Sequence, residues 1–130
     1  DLIKKILRKK FLNEKVTLWG DGNQRREIIN VKDFSRLLIK LNNVIENDLI
    51  NIGATSDLSI KEYAKKICEI VDYNPNKIVY DKDKYVGVFK KKLNVEKVNL
   101  KISNYGAKLI NINDGIKEVV EWYMSTKAYK

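Results

Sequence analysis

Apolar positions in the first twelve residues recur at Leu2, Ile3, Ile6, Leu7 and Phe11, with Lys4, Lys5, Arg8, Lys9 and Lys10 set around them. A stripe of that period predicts an amphipathic helix with one face toward a core. The rhythm then shortens. Val16, Thr17, Leu18 and Trp19 predict a strand, Gly20-Asp21-Gly22-Asn23 a turn, and Glu27-Ile28-Ile29 a return to extended structure, so a β-hairpin is expected here. Helical spacing comes back at Val31, Phe34, Leu37, Leu38 and Leu41. Leu49-Ile50-Asn51-Ile52, closed by Gly53, predicts a further strand.

The second half opens on a stronger signal. Ser59 and Glu62 stand at capping-box spacing before Ile60, Tyr63, Ala64, Ile67, Ile70 and Val71, which predicts a helix with a defined start. Tyr73-Asn74-Pro75-Asn76 ends it, and Ile78-Val79-Tyr80 predicts another strand. Residues 81–92 are mostly charged, with five lysines and Gly87, and read as a loop. A helical turn is expected from Asn94, followed by a loop through Gly106. Asn113 is the expected cap of a last helix carrying Ile116, Val119, Val120, Trp122 and Tyr123. Phe11, Phe34, Tyr63 and Trp122 fall on the predicted core faces. The fold class that results is α/β: a small mixed domain of three or four short strands alternating with four to five helices.

Composition narrows what this domain can do. At 130 residues the chain is one domain's length. It has no histidine, which excludes a Ser-His-Asp triad and any imidazole-dependent zinc site. The single Cys68 excludes an intrachain disulfide and a four-thiolate metal site. No apolar run exceeds three residues, so no membrane span or signal peptide is read, and a cytoplasmic location is expected. The chain starts at Asp1 without a methionine, and is expected to be a segment of something longer. A net charge of +9 raises the alternative of a stand-alone basic module that binds RNA or another polyanion. Against it, only four of the 26 cations are Arg, and the aromatics are not interleaved with the charge.

Three motifs bear on chemistry. Gly20-x-Gly22 lacks the third glycine and the following helix of a dinucleotide fingerprint, so it reads as a turn. Tyr-x-x-x-Lys occurs at Tyr73/Lys77, Tyr80/Lys84 and Tyr123/Lys127, a number within what composition gives by chance, and no pair is read as catalytic. Arg25-Arg26-Glu27 beside Trp19 is open to two readings. An indole and a guanidinium held together by a glycine turn form an anion clamp, or a half-buried Trp sits beside two solvated arginines.

From Trp19 through Gly20-Asp21-Gly22-Asn23-Gln24-Arg25-Arg26-Glu27-Ile28-Ile29 to Asp33, the sequence resembles the C-terminal substrate-binding lobe of the extended short-chain dehydrogenase/reductases (the NAD-dependent epimerase/dehydratase family) that act on nucleotide sugars, in particular their GDP-L-fucose synthase branch. Asp1–Lys5, Asn51-Ile52-Gly53 with Leu58–Glu62, Lys84–Lys91, and Asp114–Glu118 with Trp122 resemble further parts of that lobe. The resemblance implies a GDP-sugar substrate, with Arg26 on the diphosphate, Trp19 beside it, Lys5 as a basic substrate contact, and Lys90 and Lys91 on a closing loop. It implies no catalytic, cofactor-binding or metal-binding residue in this segment. NADP would be bound by an N-terminal Rossmann domain absent from this chain, the parent enzyme would be a homodimer, and the segment alone would be inactive. Val86 and Asn94 depart from the family pattern, which places an Asp at each of those positions.

Overall fold

The computed structural model describes residues 1–129 and confirms a mixed α/β domain. Two apolar clusters organise it. In the first, β1 (Val16–Trp19) and β4 (Ile78–Asp81) form a parallel pair in the register Val16↔Ile78 to Trp19↔Asp81. Helices α1 (Leu2–Phe11), α3 (Ile60–Val71) and α5 (Ile112–Thr126) pack around it. Ile6, Leu7, Val16, Leu18, Ala64, Ile67 and Cys68 are buried there. Strand β1 alternates as its period requires, with Val16 and Leu18 inward and Thr17 and Trp19 outward. The second cluster joins α2 (Val31–Asn42) to α4 (Glu96–Lys101) through Leu37, Leu41, Val98, Ile102 and Tyr105. The buried Tyr105 hydroxyl donates to the Gly53 carbonyl at 2.5 Å and accepts from the Gly53 N–H at 3.1 Å.

The helix starts follow local chemistry. Ser59 accepts from the Glu62 N–H, and the Glu62 carboxylate accepts from the Ser59 N–H, completing the expected box at α3. Asn30 caps α2 by accepting from the Lys32 N–H. The last helix is capped by Asn111, two residues before the expected Asn113, because the Asn111 side chain accepts from the Asn113 N–H.

Three further expectations are corrected. The hairpin does not form. Strand β1 pairs with the distant β4, while the chain after the glycine turn gives β2 (Arg25–Arg26), the middle of a second sheet. There β2 runs antiparallel to β3 (Leu58–Ser59) and parallel to β5 (Lys90–Lys91). Residues 49–52 form no strand; Leu49 is exposed, and Ile50 and Ile52 rest against the second cluster. Of the four aromatics assigned to core faces only Tyr63 is buried, whereas Phe11, Phe34 and Trp122 are 53%, 40% and 55% exposed.

Candidate functional site

The glycine turn is built for close approach. Gly20 and Gly22 have φ of +79° and +76°, a region L side chains avoid. A Cβ on Gly20 would lie 2.4 Å from Val86 Cγ1, and one on Gly22 would lie 2.4 Å from Tyr80 Cε1. The turn is tied on both sides: the Gly20 N–H donates to the Asp81 carbonyl, and the Lys61 and Ile60 N–H groups donate to the Gly22 and Gln24 carbonyls. The turn therefore joins the end of the parallel pair to the N-terminus of α3. Strand β2 leaves it in a fixed direction.

A cleft of about 570 Å³ opens at this junction. Lys5 from α1, Trp19 from the end of β1, Gln24 and Arg26 from the turn and β2, and Tyr85 and Val86 from the charged loop line it. Trp19 is 61% exposed, so its ring is available as a wall rather than committed to the core. The Arg26 backbone is pinned by the Tyr63 hydroxyl, which donates to its carbonyl at 3.0 Å. Its guanidinium Nη1 donates to the Arg25 carbonyl at 2.7 Å and to the Phe89 carbonyl at 3.4 Å. No carboxylate pairs with Arg26 or Lys91 among the described residues. Lys5 keeps a partner, Asp1, one helical turn away at 3.2 Å.

Arg25, one residue earlier, is spent differently. Its Nε donates to Asp57 Oδ2 at 2.6 Å and its Nη2 to the Asp57 carbonyl at 2.6 Å, while Glu62 lies 3.4 Å from Nη1. Lys90 and Lys92 approach the other oxygen, Asp57 Oδ1, at 3.8 and 3.7 Å. The Arg25 hydrogen bond, helped by the charges of Lys90 and Lys92, holds the Asp57 carboxyl below the usual carboxylate range. The backbone hydrogen bond from Ser59 does the same for Glu62.

Of the expected site residues, Lys5, Trp19 and Arg26 share one cleft, and Lys91 is the register partner of Arg26. Lys90 is the register partner of Arg25 and turns to Asp57. Gln24, Tyr85 and Asp57 were not singled out as site residues from the sequence. Gln24 and Tyr85 sit in segments that resemble the family lobe, and that was the signal available for them. Asp57 lies 32 positions from Arg25, and no local spacing announces that pair. Of the Tyr-x-x-x-Lys pairs, Tyr73/Lys77 is held by structural contacts: Tyr73 donates to the Glu14 carbonyl, and Lys77 to the Asn13 side chain.

Fold and cleft define an α/β lobe that presents cations and an aromatic wall at the end of a parallel strand pair. Residues 1–53 match the profile of the NAD dependent epimerase/dehydratase family. The GDP-L-colitose synthase of Yersinia pseudotuberculosis is 31% identical over 115 residues, 86% of this chain and 36% of that protein. The GDP-L-fucose synthase of Azorhizobium caulinodans is 33% identical over 85 residues, 64% of this chain and 27% of that protein. The crystal structure of a GDP-L-fucose synthetase from Naegleria fowleri bound to NADP superposes with a TM-score of 0.85 at 20% identity, over 98% of this chain and 40% of that one. The chain belongs to the NAD-dependent epimerase/dehydratase family of extended short-chain dehydrogenase/reductases. It spans about a third of the length of the curated relatives it matches, 36% and 27% for these two. These relatives lend nothing to the stand-alone RNA-binding alternative. No helix among the described residues is long and apolar enough to cross a membrane.

Proposed function

We propose that this chain is the nucleotide-sugar-binding lobe of an NADP-dependent epimerase/reductase that acts on a GDP-linked 4-keto-6-deoxy sugar and gives a GDP-L-fucose-type product. The observation that carries the reading is the cleft where Lys5, Trp19 and Arg26 converge, with Arg26 holding no carboxylate partner among the described residues. A diphosphate brings about two negative charges, and a guanidinium offers its oxygens paired donors. Arg26 takes the diphosphate in this reading, and Lys91, its strand neighbour, adds charge from the loop. Trp19 walls the nucleotide or sugar, and Lys5 is the basic contact on the α1 side. Lys90 belongs to the same loop but faces Asp57, so its part in binding is the smaller. The relatives named for GDP-sugars and the solved relative bound to NADP support this substrate and cofactor class.

NADP, when bound by an N-terminal Rossmann domain, would supply hydride chemistry, and this lobe supplies binding groups. The same proposal makes the parent enzyme a cytoplasmic homodimer. On the elements of the second cluster Leu38, Ile39, Leu49 and Leu100 are between 52% and 88% exposed. Calorimetry of the full-length protein with GDP tests the reading. Tight binding is expected, with Arg26→Ala weakening it at least about tenfold, as loss of a charge-assisted contact does. Equal affinity in that variant would remove Arg26 from the diphosphate.

A further inference from the structure

Strand β5 carries a run of three lysines beside it, Lys90, Lys91 and Lys92, and consecutive side chains of an extended strand point to opposite faces. A run of like charge has no intrinsic reason to choose which of its members faces a ligand. Here one carboxylate meets two of the three. The Asp57 side chain is 8% exposed and lies on the face of the second sheet that carries Arg25 and Lys90. It receives Arg25 on Oδ2 and faces Lys90 and Lys92 from Oδ1. Lys92 is held further by donating to the Thr55 carbonyl at 3.1 Å. The alternate residues, Arg26 and Lys91, stand in register on the opposite face.

We propose that Asp57 is a positioning residue: by gathering Arg25, Lys90 and Lys92 on one face, it fixes the register of the basic loop and leaves Arg26 and Lys91 as the pair presented to an anion. The assignment of that anion rests on the function proposed above, while the latch itself does not. A slip of one residue in β5 would reverse the faces, moving Lys91 toward Asp57 and Lys90 and Lys92 toward the Arg26 side. Asp57 opposes that slip, because two lysines reach its carboxylate in the observed register and one would in the slipped register.

Hydrogen exchange of the full-length protein, without ligand, reads the latch directly. Asp57→Asn, which keeps shape and removes charge, is expected to speed exchange across residues 88–93 by at least about threefold, the scale of a part-exposed ion pair. Helix α3 should keep its wild-type protection, and Asp57→Glu should restore most of the loop's. The double variant Lys90→Gln/Lys92→Gln changes only surface side chains and should loosen the same segment, so the test does not depend on Asp57→Asn folding. Wild-type exchange of residues 88–93 in either the Asn variant or the double variant overturns the latch. Calorimetry with GDP separates the two ideas. If the wild-type full-length protein fails to bind GDP, the proposed function falls and exchange alone still decides the latch. If it binds, Asp57→Asn should weaken affinity, and by clearly less in an Arg26→Ala background, since coupled sites are not additive.

Discussion

Side chains one or two positions apart in this chain have unrelated duties, because each is set by what the fold brings opposite it. Arg25 is consumed by Asp57, whereas Arg26 turns to a cleft and to carbonyl oxygens. Cys68 shows the same rule inside the core. It is 1% exposed in the middle of α3, and burial pushes its thiol up to about 11. Burial likewise raises the hydroxyls of Tyr63, Tyr73, Tyr80 and Tyr105. The thiolate is the reactive form, so at pH 8 only about one thiol in a thousand would be ionised. Cys68 is expected to resist iodoacetamide at that pH until denaturant is added, as mass spectrometry of the labelled protein would report. The sign of the pH effect follows. The folded state keeps a proton that the unfolded thiol gives up near 9.0, so stability falls as pH rises from there toward about 11. Urea midpoints measured at pH 8 and pH 10 should differ in that direction.

Elements were legible where their signals are local. The box at Ser59 and Glu62 announced the start of α3 because both partners lie within one turn. Ser59→Ala should therefore cost about 1 kcal/mol, the usual loss of a cap, seen as a lower urea midpoint with an unchanged slope. The same locality explains the error in the hairpin. A glycine turn declares that the chain reverses, but it does not name the partner, and β1 found Ile78–Asp81 across nearly half the sequence. Ile50 and Ile52 encode burial against the second cluster, not a ladder of hydrogen bonds. Phe34 and Trp122 lie on helices with buried neighbours, yet both are exposed. The site divides in the same way. Trp19 and Arg26 were readable as flanks of one turn, Lys5 only through resemblance to a family, and Asp57 not at all, since its partners come from two segments each more than 30 residues away.

At the scale of the molecule, the two clusters are unequal. The first is closed by α1, α3 and α5 over the parallel pair. The second rests on fewer buried residues, and beside it lie Leu38 and Ile39 on α2, Leu49 on the extended segment, and Leu100 on α4. Their exposures of 52%, 69%, 85% and 88% place large aliphatic side chains in water on neighbouring elements. An isolated exposed leucine is ordinary in a folded protein, whereas four large aliphatic side chains this exposed leave the chain apolar area through which to associate. The chain produced alone as residues 1–130 should therefore bind the dye ANS and self-associate in light scattering as its concentration rises. Replacing Leu38, Ile39, Leu49 and Leu100 together by Gln should suppress both signals and leave the far-ultraviolet circular dichroism unchanged, because none of the four is buried in either core. Undiminished dye binding in that variant would locate the sticky surface elsewhere, at the mouth of the cleft beside Trp19 and Tyr85.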